Sequence, residues 1–221
     1  MILITKDGKR IAFTYYSAVN PVGWIIYAHM MPATKESWDG LARSFSAIGY
    51  EGIAVDLRGH GNSDGGAEGY QNFSDEEHQK SIYDIEGAVE YLKGRGADPG
   101  RITLIGASIG ANLVLKYIVE NSDFKKAVLL SAGLNYKGIE AVPLARMLRE
   151  GQSVMLVASR DDGRTGGNNA EQNRAIFDAM PEGVNKKLQI YDEGGHGTAL
   201  LGAHADLQSL IIRFMIGANE L

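Results

Sequence analysis

The chain contains no cysteine, which excludes disulfides, thiolate catalysis and cysteine-based metal sites. No apolar run approaches the length of a membrane span. The opening stretch carries charges at Lys6, Asp7, Lys9 and Arg10, too early for a signal peptide and after too little apolar sequence. The expectation is a cytoplasmic protein with no membrane partner. No cluster of lysine and arginine could track phosphates, and the net charge is −5, so nucleic acid is not an expected partner either. Nor does any internal repeat, linker or low-complexity segment divide the 221 residues, which suit one domain with a large core.

What is present is an alternation of short apolar strands with amphipathic helices. Residues 10–16 alternate apolar and polar, as a half-exposed strand does, and 24–28 are the continuous apolar run of a buried parallel strand. Further strands are expected at 52–57, 101–107, 127–131, 154–158 and 187–191. Helices are expected at 36–48, at 111 to about 121 and from about 203, the last with Leu207, Leu210, Ile211 and Phe214 on one face. Ser74-Asp75-Glu76-Glu77 reads as a capping box opening one long helix, with Ile82, Ile85, Val89 and Leu92 as its inward stripe. A glycine-rich loop covers 58–72. This alternation predicts an α/β fold, a mostly parallel twisted sheet with helices on both faces. In such a sheet the ligand site lies beyond the carboxyl ends of the strands.

One strand end stands out. Gly106-Ala107-Ser108-Ile109-Gly110 follows the run at 101–105 and precedes a helical run, which sets G-x-S-x-G between strand and helix. A strand feeding straight into a helix must turn sharply, and glycines on either side let neighbouring backbone pack close. The serine at the tip is then exposed over the free N–H groups and positive dipole end of the helix. An alcohol is a poor nucleophile at neutral pH and needs a base, best a histidine supported by a carboxylate. Both occur at strand ends: Asp161-Asp162 after the strand at 154–158, and His196 within Gly194-Gly195-His196-Gly197 after the last strand.

With its reactive groups in the order Ser, Asp, His, the chain resembles the α/β-hydrolase superfamily from about residue 25 to residue 214. Ile26-Tyr27-Ala28-His29-Met30-Met31 is similar to the family's strand-end His-Gly-x segment. Asp56-Leu57-Arg58-Gly59-His60-Gly61-Asn62-Ser63 is similar to its D-x-R-G-x-G-x-S loop. The resemblance implies an α/β-hydrolase fold in which Ser108 attacks an acyl carbon, His196 is the base and an aspartate orients the imidazole. The backbone N–H groups of Met31 and Ile109 would bind the oxyanion. No metal or organic cofactor is implied. The family's small-x-x-Asp spacing, counted from Ser159, selects Asp162, leaving Asp161 as a solvated turn residue or a cap. Met30 departs from the family, where glycine is usual, and bears on the aim of the oxyanion N–H.

The other histidines are read as supporting. His29 is expected to hydrogen-bond and shape the oxyanion loop, His60 to serve structure as a rival but inferior base, and His78 to face solvent. His204 receives no role. The loop at Arg58 lacks a phosphate-binding pattern in strand–helix context and is read as structural. Residues 133–153 hold one expected short helix, 139–150, and leave no room for a multi-helix lid. Leu134, Tyr136, Ile139, Val142, Leu144, Met147 and Leu148, with Met30, Met31 and Trp38, are candidates for an apolar wall, though at least half of the first group is expected in the core. The resulting expectation is a serine hydrolase of small or medium carboxylic esters with a small-molecule acyl ester as substrate. An acyl-thioesterase, a small peptidase and a ligand-binding protein with little turnover are the alternatives. A homo-oligomer is left open.

Overall fold

The buried apolar runs become the centre of one sheet in the computed structural model, which describes residues 1–163 and 167–217. Strands β1 (Ile2–Ile4) and β2 (Arg10–Tyr16) pair antiparallel around a turn at Gly8, whose φ is 82°. Then come β3 (Gly23–Ala28), β4 (Tyr50–Val55), β5 (Ile102–Ala107) and β6 (Lys126–Leu130). A separate hairpin, β7 (Asn135–Tyr136) with β8 (Ile139–Glu140), precedes β9 (Ser153–Ser159) and β10 (Asn185–Tyr191). The sheet order is β1-β2-β4-β3-β5-β6-β9-β10. β2 runs antiparallel to β4, and every pairing from β4 across to β10 is parallel.

Side chains alternate between faces along a strand, so each central strand feeds two cores. β3 sends Ile26 and Ala28 to one and Ile25 and Tyr27 to the other, all fully buried. Each such large apolar side chain contributes ~1.5–3 kcal/mol by leaving water. Helices α1 (Asp39–Ala47), α2 (Asp75–Gln79), α3 (Ile82–Lys93), α4 (Ile109–Glu120), α5 (Ala141–Arg146) and α6 (Asn169–Ala179) lie between strands, and α7 (Ala199–Ala203) and α8 (Ala205–Ile216) follow the last one. α3, α4, α5 and α6 bury their apolar stripes on the Ile26 side. α1, α7 and α8 do so on the Ile25 side, through residues such as Phe45, Leu200 and Leu207. The mostly parallel sheet with helices on both faces is the architecture expected from the sequence.

Three expectations are corrected. The capping box at Ser74 and Glu77 is present, but the helix it opens is the single turn α2, not one long helix. The Ser81 and Asp84 N–H groups bond to the His78 and Ser81 carbonyls, three residues back, and the tightened backbone redirects the chain into α3. That break turns His78 inward. It is buried against the Phe73 ring rather than solvent-facing, and burial lowers its pKa. Residues 133–153 begin with the β7–β8 hairpin, and the helix there is only α5.

β1, α6 and α7 have no counterpart among the elements expected from the sequence. α6 is hidden because amides, Asn169 and Asn173, occupy much of its buried face. Its signal is the cap: the Asn168 side chain accepts from the N–H groups of Ala170 and Glu171.

Candidate active site

The carboxyl ends of β3, β5, β6, β9 and β10 converge on Ser108. Ser108 leaves β5 with φ 55° and ψ −120°, a conformation costing a non-glycine residue ~1–3 kcal/mol. Its own N–H donates to the Leu130 carbonyl, and its carbonyl accepts from Ala111 and Asn112 at the start of α4. The flanking glycines are sterically required. A Cβ on Gly106 would stand 2.2 Å from the Gly110 carbonyl oxygen, and one on Gly110 would stand 2.3 Å from that of Ala28. The close approach of Gly110 to Ala28 and His29 sets the first turn of α4 beside the segment bearing Met30 and Met31. Ile109, first in that helix, has one of its unpaired N–H groups.

The aspartates and His196 follow the carboxyl ends of β9 and β10. Asp162, with its side chain fully buried, places Oδ2 2.5 Å from His196 Nδ1. That contact occupies one ring nitrogen and leaves Nε2 for other work. The structure thus distinguishes the two aspartates by their partners. Asp161 accepts instead from the backbone N–H groups of Gly194 and Gly195, at 3.2 and 3.0 Å. His196 lies beside the serine turn: a Cβ on its neighbour Gly197 would be 3.5 Å from Ala107 Cβ and 2.4 Å from Met30 Sδ. Among the described residues no hydrogen bond joins Ser108 Oγ to His196. Such bonds are often long before substrate binds.

Met30 does not adopt a positive φ; among the described residues the non-glycine ones that do are Asn20, Ser108, Ser131 and Lys137. Its backbone is therefore open to any residue, and its thioether fills the space over Gly197. His29 is a tie between strand ends. Nδ1 donates to the Met30 carbonyl, and Nε2 accepts from the Leu57 N–H, each at 2.9 Å. Burial, followed by the neighbouring His60, lowers its pKa to about 3, so it stays neutral. His60 stacks on Tyr70 at 4.3 Å and bonds to the Arg58 carbonyl. Arg58 is itself committed, to Asp84 and Asp7. His204 bonds to the Glu193 carbonyl and stacks on Tyr191.

Tyr136 of β7, a wall candidate from the sequence, lies edge-on to His196, ring centroids 6.4 Å apart. Two residues that no motif singles out support the surroundings. Buried Asn112 clamps the segment bearing Tyr136: it donates to the carbonyls of Gly133 and Ile139 and accepts from the Gly133 N–H. Ser131, at the end of β6, accepts from the Gly197 N–H at 2.8 Å. The apolar-wall candidates divide. Trp38, Ile139 and Leu148 are core residues, Leu134 and Met147 are exposed, and Tyr136, Val142, Leu144, Met30 and Met31 are half-buried. Trp38 is a correction, because its ring packs on Tyr27 under α1 and is fully buried. Among the described residues no helix is long and apolar enough to cross a membrane.

The parallel sheet, the serine turn and the His–Asp pair define a class, and comparison with known proteins agrees. The family model described as serine aminopeptidase, S33 matches residues 20–182. A non-heme chloroperoxidase of Streptomyces lividans is 32% identical over 132 residues, 58% of this chain and 43% of that protein. A bifunctional esterase/perhydrolase of Acinetobacter calcoaceticus is 33% identical over 131 residues, with the same shares. The matched stretch therefore spans less than half of the length of these relatives. The solved structure of DcsB in complex with its substrate analogue superposes with a TM-score of 0.82 over 99% of both chains at 17% identity, a likeness of fold. The chain belongs to the α/β-hydrolase superfamily. Within it, the serine aminopeptidase, S33 family is the one its residues match.

Proposed function

We propose that this hydrolase is a serine esterase acting on small or medium carboxylic esters through an acyl-enzyme. The observation that carries the reading is the buried His196–Asp162 pair, 2.5 Å apart, beside the strained turn at Ser108. Ser108 Oγ attacks the ester carbonyl carbon while His196 Nε2 takes its proton. The Asp162 carboxylate holds Nδ1–H and stabilises the imidazolium. The N–H groups of Met31 and Ile109 bind the oxyanion, and loss of one such donor costs about 3 kcal/mol of transition-state stabilisation. Collapse expels the alcohol, which receives the proton from His196. A water deprotonated by His196 then attacks the acyl carbon and releases the acid. These steps draw on no cofactor.

The esterase named among the relatives supports an ester substrate, and the short hairpin over His196 supports a small one. The matched family's description supports a second reading, an aminopeptidase. Both are tested by one panel: p-nitrophenyl esters of increasing acyl length, the corresponding thioesters, and aminoacyl p-nitroanilides. Ester turnover that vanishes in Ser108→Ala, with a fluorophosphonate labelling Ser108 alone, supports the esterase. Preferential anilide turnover overturns it in favour of the peptidase. An unlabelled native protein overturns both.

A further inference from the structure

The loop that carries His196 is packed closely at Gly194 and Gly197, where an added Cβ would stand 2.6 Å from His204 Nε2 and 2.4 Å from Met30 Sδ, but packing alone does not fix its backbone. It contains three glycines with positive φ, Gly194 (132°), Gly195 (68°) and Gly197 (60°), a backbone with many alternatives in the unanchored state. Yet a base must be placed to within a fraction of an ångström of its serine. Each of the three glycines is bonded to a side chain from the end of a neighbouring strand. The Asp161 carboxylate spans two of them, Oδ2 accepting from the Gly194 N–H and Oδ1 from the Gly195 N–H. Ser159 Oγ donates to the Gly195 carbonyl at 2.7 Å. Ser131 Oγ accepts from the Gly197 N–H on the other side of His196.

We propose that Asp161, with Ser159 and Ser131, is a positioning clamp that sets the imidazole of His196 by holding the backbone on both sides of it. This rests on the esterase reading above and adds residues to it that touch neither substrate nor the reacting atoms. The adjacent aspartates thereby share the placement of one base, Asp162 orienting the ring and Asp161 orienting the loop. The two carboxylate oxygens of Asp161 each take one of the two successive N–H groups. Ser131 holds its positive φ of 51° while fully buried, a strained geometry that aims its hydroxyl at the loop.

The test compares Asp161→Ala and Ser131→Ala with the native enzyme on p-nitrophenyl acetate, with Ser108→Ala as reference. Misplacing the base should lower kcat about 10-fold or more in each variant. KM should stay within about twofold, since no binding group is removed. Thermal unfolding of Asp161→Ala should be nearly unchanged, because the carboxylate is at the surface. The low-field proton NMR signal of the His196–Asp162 hydrogen bond should broaden or vanish in both, a signature that a stability effect alone would not move. Native kcat and a native signal in Asp161→Ala, with Ser108→Ala inactive, overturn the clamp and leave the esterase reading intact. Full turnover by Ser108→Ala overturns the esterase reading itself.

Discussion

The turn at Ser108 and the loop at His196 lie side by side, yet what holds them differs. The serine turn is held by exclusion: Gly106, Gly110 and the Ala28 carbonyl approach so closely that no Cβ fits, and strand β5 and helix α4 around them are almost wholly buried. The histidine loop follows the edge strand β10, whose residues are mostly half-buried, and adds to close packing at Gly194 and Gly197 a set of discrete hydrogen bonds from Asp161, Ser159, Ser131 and Asp162. A region fixed by packing resists added volume poorly and loss of polar groups well. A region that also depends on acceptors loses its geometry when one of them is removed.

Four measurements would break or sharpen this contrast. The largest effect is chemical. Ser108→Ala should lower kcat for p-nitrophenyl acetate by on the order of 10⁶-fold, with circular dichroism unchanged. Retained turnover would dissolve the site rather than the comparison. Next come the paired aspartates. Asp162→Asn should lower kcat about 10⁴-fold by presenting the wrong partner to Nδ1, while Asp161→Asn should cost nearer 10-fold. Equal losses would mean that ring and loop are not separately held.

The third test addresses the packed side. Gly110→Ala should destabilise by about 3 kcal/mol in urea unfolding, because its methyl must displace the Ala28 carbonyl. By contrast Gly66→Ala, with nothing within 4 Å of its new Cβ, should feel only the strain of its φ of 76°. A tolerant Gly110 would remove the claim of steric exclusion.

The smallest effect is a pH slope. His29 is neutral in the fold down to its pKa of about 3, whereas unfolded it takes a proton near its ordinary pKa of about 6.5. Between these values the unfolded state binds more protons, so stability is full above about pH 6.5 and falls as pH drops toward 3. His29 alone contributes a slope of about 1.4 kcal/mol per pH unit in that window. Burial lowers the pKa of His60 and His78 as well, which adds to it in the same direction. Unfolding free energies measured across the window should show the slope, and His29→Gln should flatten it. A slope unchanged by His29→Gln would mean that the tie between the ends of β3 and β4 is not held by a neutral imidazole.

Much of the fold is legible in the sequence because burial on both sides of a parallel strand demands unbroken apolar runs, as at 24–28. The elements that leave no such mark are made of other material. The α6 helix buries asparagines, and β7 and β8 are two residues each, too short for any period. The polar neighbours of His78 point to solvent, while a one-turn helix and the Phe73 ring decide otherwise.

The sheet's central strands, the serine turn and the order in which serine, aspartates and histidine reach the strand ends can all be read along the chain. These follow from local rules: residue period, glycine's missing Cβ, the capping box. The spacing from Ser159 already favoured Asp162 as the partner of His196, while the anchoring of the surrounding segments by Ser131 and Asn112, and the place of Tyr136 beside the ring, came from the folded chain alone. Those outcomes depend on side chains far apart in the chain, brought within hydrogen-bond reach of about 3 Å or, for Tyr136, into ring contact. No pattern along one strand encodes such an encounter.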